Sequence, residues 1–281
     1  MTQIGRATAA HSLSIPGRAG AVVALSWGAA TDIGRRRKLN EDSFLAESPF
    51  FAVADGMGGH ASGDVASAAV VARLSEAAAT DFADTESIMT ALRSATSDIA
   101  LAADDDELGV GTTATGAVLT LSAGNPFWAV FNIGDSRVYQ FADGALTQVT
   151  VDHSVVQELV DAGLLRPEDA ESHPDSNIIT RAVGFNAEPM ADLWMVPLRA
   201  GLRLLICSDG LTREVSDPQL RAALAAGTGP QETAATLIEA ALASGGRDNI
   251  TIVIVDVVEA PDPMSRDAQG AQGARAETTP A

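Results

Sequence analysis

The sequence predicts an α+β fold in which two β-sheets are flanked by helices. Strand-like runs follow one another through short turns, and helical periodicity is confined to three stretches set apart from them. No Pro/Gly-rich linker divides the pattern into two cores, and no internal repeat is visible. A chain of 281 residues with 46% hydrophobic side chains can bury a sizeable core. It reads as one domain over residues 21–259, with residues 1–20 and 260–281 small, polar and aperiodic and therefore expected to be unstructured.

In chain order, Val22, Val23, Leu25 and Trp27 suit a first strand. Arg18 and the small residues after it imitate a secretion signal, but the stretch lies too far in and is interrupted. No apolar run reaches the roughly 18 residues of a spanning helix, so a soluble, cytoplasmic protein without a membrane span is expected. Ser43-Phe44-Leu45 is a short strand candidate and residues 50–54 a stronger one. Helices are expected over 65–79 and 88–102, where Ile88, Leu92, Ala95 and Ile99 share a face. Strands follow at 115–121, 127–132 and 137–141, and the aromatic residues Phe127, Trp128 and Phe131 read as core. Asp143-Gly144 has the spacing of an ordinary hairpin turn. A strand at 203–207, a helix at 233–242 bearing Leu237, Ile238 and Leu242, and a strand at 250–257 complete the pattern. The single cysteine, Cys207, sits in an apolar run, forms no internal disulfide and reads as a buried core residue.

Charge excludes one large class of partners. Acidic residues outnumber basic ones 37 to 18, a net charge of −19 that repels nucleic acid. The same surface repels any phosphorylated substrate unless arginine or bound metal reverses the field locally.

The informative feature is where the carboxylates fall. Residues 51–54 lead into Asp55-Gly56, 131–133 into Gly134-Asp135, and 205–208 into Asp209-Gly210. Asp248 precedes the last strand, and Glu41-Asp42 precede Ser43. Asp-Gly after a strand is first of all a turn signal, and Asp143-Gly144 serves as the internal control for that reading. Asp55 and Asp209 differ from it, since neither is followed by a second short strand. Carboxylates gathered in one place repel each other unless cations neutralise them. With four histidines, one cysteine and no paired Cys/His spacing, an all-oxygen set suited to Mg²⁺ or Mn²⁺ is expected rather than zinc. Two such ions about 3.5 to 4 Å apart can share a hydroxide and orient it for in-line attack on phosphorus.

Six ordered motifs carry a family resemblance: Arg37-Lys-Leu-Asn-Glu41-Asp42-Ser, Asp55-Gly56-Met57-Gly-Gly-His60, Gly111-Thr112-Thr113, Asn132-Ile-Gly-Asp135-Ser-Arg137, Cys207-Ser-Asp209-Gly210-Leu211 and Asp248-Asn249-Ile-Thr. From Trp27 to Val257 the chain resembles the bacterial branch of the PP2C (PPM) serine/threonine phosphatases. The resemblance implies a four-layer α-β-β-α sandwich with two mainly antiparallel sheets, and hydrolysis of phosphoserine and phosphothreonine without a phosphoenzyme. It implies that Asp55 bridges two ions, with Glu41 and the Gly56 carbonyl on one and Asp209 and Asp248 on the other. Asp135 with Asp209 would take a third, weaker ion; Asp42 would orient from behind, and Arg37 would clamp the substrate phosphate.

Met57 stands where animal and plant relatives carry a histidine proposed as general acid, which leaves His60 or a water as the proton source. Residues 152–185 resemble the family's flap beside the active site. His153 and His173 read as surface or capping residues. Implied partners are phosphoproteins made by a serine/threonine kinase, with the chain acting as a monomer. The competing readings are a PP2C-fold binding module without turnover and a phosphatase for small phosphomonoesters.

Overall fold

The computed structural model describes residues 1–58, 62–102, 109–186 and 188–262. The first half of the chain forms β1 (Gln3–Gly5), β2 (Thr8–Ser14), β3 (Val22–Asp32), β4 (Asp42–Glu47), β5 (Phe50–Met57), α1 (Ser62–Glu76), α2 (Thr85–Ala102), β6 (Gly111–Thr112), β7 (Ala114–Ser122) and β8 (Asn125–Ile133). The second half forms β9 (Arg137–Ala142), β10 (Ala145–Gln148), α3 (Val155–Asp161), β11 (Asp192–Pro197), β12 (Arg203–Cys207), α4 (Asp209–Thr212), α5 (Asp217–Leu224), α6 (Pro230–Ser244) and β13 (Ile250–Glu259), with a 3-10 turn over Pro167–Ser172.

Two sheets lie face to face. One has the order β1-β4-β5-β7-β8-β11, with β6 paired to β5, and the other β10-β9-β12-β13-β3-β2. The β1–β4 pair is parallel, and the other strand pairs are antiparallel. The period-2 geometry of a strand sends alternate side chains to opposite layers. On β13, Val253, Val255 and Val257 face the space between the sheets, while Ile250, Ile252 and Ile254 face α5 and α6. On β5, Phe51 and Val53 point to the inter-sheet core and Phe50, Ala52 and Ala54 to α1 and α2. The central strands are therefore apolar on both faces, as a sheet covered on both sides requires. Ile88, Leu92, Ala95 and Ile99 of α2 are all buried against the first sheet. The expected four-layer α-β-β-α sandwich is what forms.

Residues 1–20 depart from expectation. They were expected to be unstructured, yet β1 adds to the edge of one sheet and β2 to the edge of the other. Only Leu13 of β2 is buried, so apolar alternation is lacking; backbone pairing with Val22 to Trp27 supplies the order instead. His11 also stacks edge-on against Trp27 at 5.4 Å between ring centroids, and the Trp27 indole donates to the Arg6 carbonyl at 2.9 Å. The tail expected from residue 260 lies outside the described residues beyond 262.

Other differences are local. The strand at 50–54 continues through Asp55 and Gly56 to Met57, so that Asp-Gly pair is strand and not turn. The helices α3, α4 and α5 add short elements to the three long ones. Asp143 and Gly144, both with positive φ (53° and 77°), form the expected hairpin turn between β9 and β10. Cys207 is buried in β12.

Candidate active site

The carboxylates from both sheets meet in a cleft of about 350 Å³, lined by Arg37, Glu41, Asp55, Asp135, Asp209 and Asp248, with Arg213 and Met57 beside them. The sequence-predicted site residues thus come together, with Asp42 packed behind.

Asp42 and Asp55 are register partners at the ends of β4 and β5. Asp42 is fully buried; its Oδ2 accepts from the Ser208 hydroxyl at 2.9 Å, and the Ser208 oxygen in turn accepts from the Thr251 N–H at 3.0 Å. It therefore ties the first sheet to β12 and β13 of the second. Burial pushes its carboxyl up to about 7, although the Thr251 and Ser208 side chains pull the other way. Asp55 is raised well above the carboxylate range by loss of water and by repulsion from Asp42, Asp209, Asp135 and Asp248.

Gly56 is needed for close approach and not for a turn, because a Cβ there would collide with the Gly63 carbonyl at the start of α1. Gly63 in turn leaves room for Glu41, whose Oε1 would be 2.6 Å from an added Cβ. Burial raises the Glu41 carboxyl, and Arg37 and the Gly63 N–H oppose that shift.

Asp135 follows Gly134, whose φ of 107° turns the chain at the end of β8. The Gly134 N–H donates to Nδ1 of His153 at 3.1 Å, and its carbonyl accepts from the His153 N–H at 2.9 Å and the Asn132 amide at 3.0 Å. His153 is buried, and its Nε2 reaches Asp192 at 3.2 Å. Its expected surface or capping role is therefore corrected: the ring is a strut beneath the Asp135 turn, and burial lowers its pKa. Asp135 is pushed up to about 7 by burial and by Asp209, with Arg213 opposing.

Asp209 opens α4 and lies 2.6 Å from Arg213 one turn later. Burial raises its carboxyl; Arg213 lowers it and Asp248 raises it. Asp248 accepts from Arg37 Nη2 at 2.7 Å at the rim of the cleft. Next to it the Asn249 side chain accepts from the Glu41 N–H at 2.8 Å and donates to the carbonyls of Ile33 and Leu39 at 2.9 and 3.0 Å. One buried amide thereby fixes the loop that carries both Arg37 and Glu41.

Among the described residues, six carboxylates, those of Glu41, Asp42, Asp55, Asp135, Asp209 and Asp248, are matched by only two guanidiniums, Arg37 and Arg213. Asp42 Oδ1 and Asp209 Oδ1 are buried without a hydrogen-bond partner. Among the described residues no three acidic, histidine or cysteine side chains close around one point as a finished cage. The guanidiniums instead stand among the carboxylates as internal counter-ions. A hard all-oxygen donor set, an uncompensated negative excess and orphaned carboxylate oxygens fit divalent Mg²⁺ or Mn²⁺.

A family model for protein phosphatase 2C matches residues 34–243. The chain belongs to the protein phosphatase 2C family. Among its relatives, the serine/threonine protein phosphatase PstP of Mycobacterium tuberculosis is 44% identical over 247 residues, covering 84% of this chain and 45% of that protein. The chain thus spans about half the length of that relative. The serine/threonine phosphatase Stp of Listeria monocytogenes is 38% identical over 80% of this chain and 93% of its own. The crystal structure of the PstP catalytic domain in complex with two manganese ions superposes with a TM-score of 0.75 at 41% identity, covering 84% of this chain and 99% of that one.

Within this phosphatase 2C chain, sequence reasoning missed the contributions of Arg213, Asn249 and His153. Arg213, the residue that caps α4, follows Asp209 by four residues, a spacing that could have signalled an ion pair. His153 and Asn249 act through hydrogen bonds to distant backbone, which no local pattern announces. Met57 ends β5 at the cleft, and His60 lies outside the described residues.

Proposed function

We propose that the chain hydrolyses phosphoserine and phosphothreonine in proteins, with two Mn²⁺ or Mg²⁺ ions held by Glu41, Asp55, the Gly56 carbonyl, Asp209 and Asp248. The observation that carries this reading is the convergence of those carboxylates, from both sheets, into one cleft with Arg37 at its rim. Bound ions of this kind supply a positive field for the phosphoryl oxygens and activate water for attack on phosphorus.

The chain's own residues supply orientation. Arg37 is half exposed and, among the described residues, tethered only through Asp248, so its fork can turn to a phosphate and contact two oxygens at once. Asp42, pinned by Ser208, which Thr251 holds in turn, keeps its carboxylate behind Asp55 and orients the groups in front of it. Asp135 and Asp209 offer a position for a third, weaker ion. Among the described residues lining the cleft, the one hydroxyl is that of Thr113, which already bonds to the Asp55 N–H and to Ser136. With that hydroxyl engaged and the carboxylates given to the ions, the reading is direct attack by water with no phosphoenzyme. Met57 carries no transferable proton, so the leaving alkoxide takes its proton from His60 or from water.

The segment 152–185 contributes Asn177 and Ile179 to the cleft wall and so shapes access as a flap. The reading extends to phosphoprotein substrates of a serine/threonine kinase, to a monomer and to a cytoplasmic setting. Among the described residues no helix is long and apolar enough to cross a membrane.

The test is phosphate release from a phosphothreonine peptide with millimolar Mn²⁺. Release abolished by EDTA and by Asp209→Ala is expected, with peptide turned over faster than a small phosphomonoester. No release under any metal condition would instead leave a binding module.

A further inference from the structure

Arg213 follows α4 and turns back over it. Its Nη2 lies 2.6 Å from Asp209 Oδ2 and 3.4 Å from Asp135 Oδ2, so one guanidinium spans carboxylates from two different elements. Its side chain is 31% exposed while the carboxylates are only 12% and 11% exposed, so the charge is applied from the solvent side onto buried oxygens. The second oxygen of Asp209 is buried and without a partner. The contact also forms part of the wall between the cleft and an adjoining groove of about 380 Å³.

The placement is independent of the arginine's packing role. Its backbone carbonyl is held separately by Arg247 at 3.0 Å, and Arg247 is itself paired to Glu214 at 2.8 Å. Shortening the Arg213 side chain therefore leaves the end of α4 anchored.

A guanidinium and a divalent cation seek the same carboxylate lone pairs. The arginine is tethered one turn from Asp209 and needs little reorganisation, whereas an ion must give up water to bind. We propose that Arg213 is a built-in counter-ion that competes with a divalent cation for Asp135 and Asp209 and so keeps the third ion position weak. This inference rests on the reading of that pair as a metal position. Arg213 pairs with Asp135 and Asp209 and not with Glu41, so the ion that Glu41 and the Gly56 carbonyl would hold is affected least.

The experiment is Mn²⁺ titration of the full chain by calorimetry, with bound ion counted by electron paramagnetic resonance, for the parent, Arg213→Gln, Arg213→Lys and Asp135→Asn. In Arg213→Gln the weakest class of sites should tighten by about tenfold or more, the size of effect one nearby opposite charge has on a carboxylate's proton affinity. Arg213→Lys, a point charge unable to span both carboxylates, should fall between, and it carries the test if the glutamine variant does not fold. Asp135→Asn should remove the weak class, also in combination with Arg213→Gln. Two bound ions with no weaker class in any variant, or a weak class unchanged by both Arg213 substitutions, would overturn the counter-ion role and leave the proposed function standing. Absence of divalent-ion uptake by the parent would remove both.

Discussion

Arg37 shows how much depends on a single side-chain geometry. Its guanidinium reaches Asp248 at 2.7 Å and is half exposed, so it can exchange that partner for a phosphate. Losing a charge-assisted bidentate contact costs about 1.5 to 3 kcal/mol, so kcat/KM of Arg37→Ala on a phosphopeptide should fall roughly 10- to 100-fold. Arg37→Lys should recover only part of that, because an ammonium cannot grip two oxygens in one plane. Steady-state kinetics of the two variants side by side check this, and a lysine variant equal to the parent would contradict the fork. Cys207 makes the opposite case. Burial pushes its thiol up to about 12, and it lies in β12 with no exposed surface. Iodoacetamide at pH 8 should therefore leave the native protein unlabelled and alkylate one site once denaturant unfolds it, as intact-mass measurement would report.

At the scale of elements, the site is a set of chain ends held by polar side chains that point away from it. Asn249 bonds to the Glu41 N–H and to the carbonyls of Ile33 and Leu39. Asn249→Ala removes three bonds to part-buried backbone groups, an expected loss of about 1 kcal/mol or somewhat more in a denaturant titration, with Mn²⁺ affinity weakened because Glu41 is no longer fixed. Unchanged stability and unchanged Mn²⁺ uptake would mean the loop has other anchors. The long, doubly buried strands were legible in the sequence because their hydrophobic runs are unambiguous; β13 and β12 match their expected extents closely. By contrast β2 was not legible, since an edge strand with mostly exposed side chains is ordered by backbone pairing. The short run in β11, which exposes Leu193 and Met195 along an edge, was equally silent. In the site, carboxylate positions were legible from their place after apolar runs. What their glycines are for was not legible: Gly56 and Gly210 lack positive φ and are required because neighbouring backbone leaves no room for a Cβ. The struts His153 and Asn249 were unreadable because their partners lie 19 and 208 residues away.

Over the whole molecule, a net charge of −19 is drawn into a fold that buries several carboxylates side by side. This couples stability to pH in an unusual direction. Burial raises Asp42 and Asp135 from an ordinary 3.8 to about 7, so between those values the folded chain binds more protons than the unfolded one. Stability then falls as pH rises, being fully present below the unfolded pKa and lost as pH passes through the folded one. On the proposed function divalent cations act with the opposite dependence, because their ligands Asp55, Asp135 and Asp209, also raised by burial, must lose protons to bind them. In EDTA the midpoint of thermal unfolding is expected to decline between about pH 5 and 8, whereas the rise in midpoint on adding millimolar Mn²⁺ should grow over the same interval. Proton release on Mn²⁺ binding, measured by calorimetry in buffers of different ionisation enthalpy, should be larger at pH 6 than above pH 8. His153, lowered by burial, works in the opposite sense, so a midpoint in EDTA that climbs with pH through this range would mean that the buried carboxylates contribute less than that one ring. It would then be the two arginines in the cleft, and not shared protons, that neutralise the clustered charge.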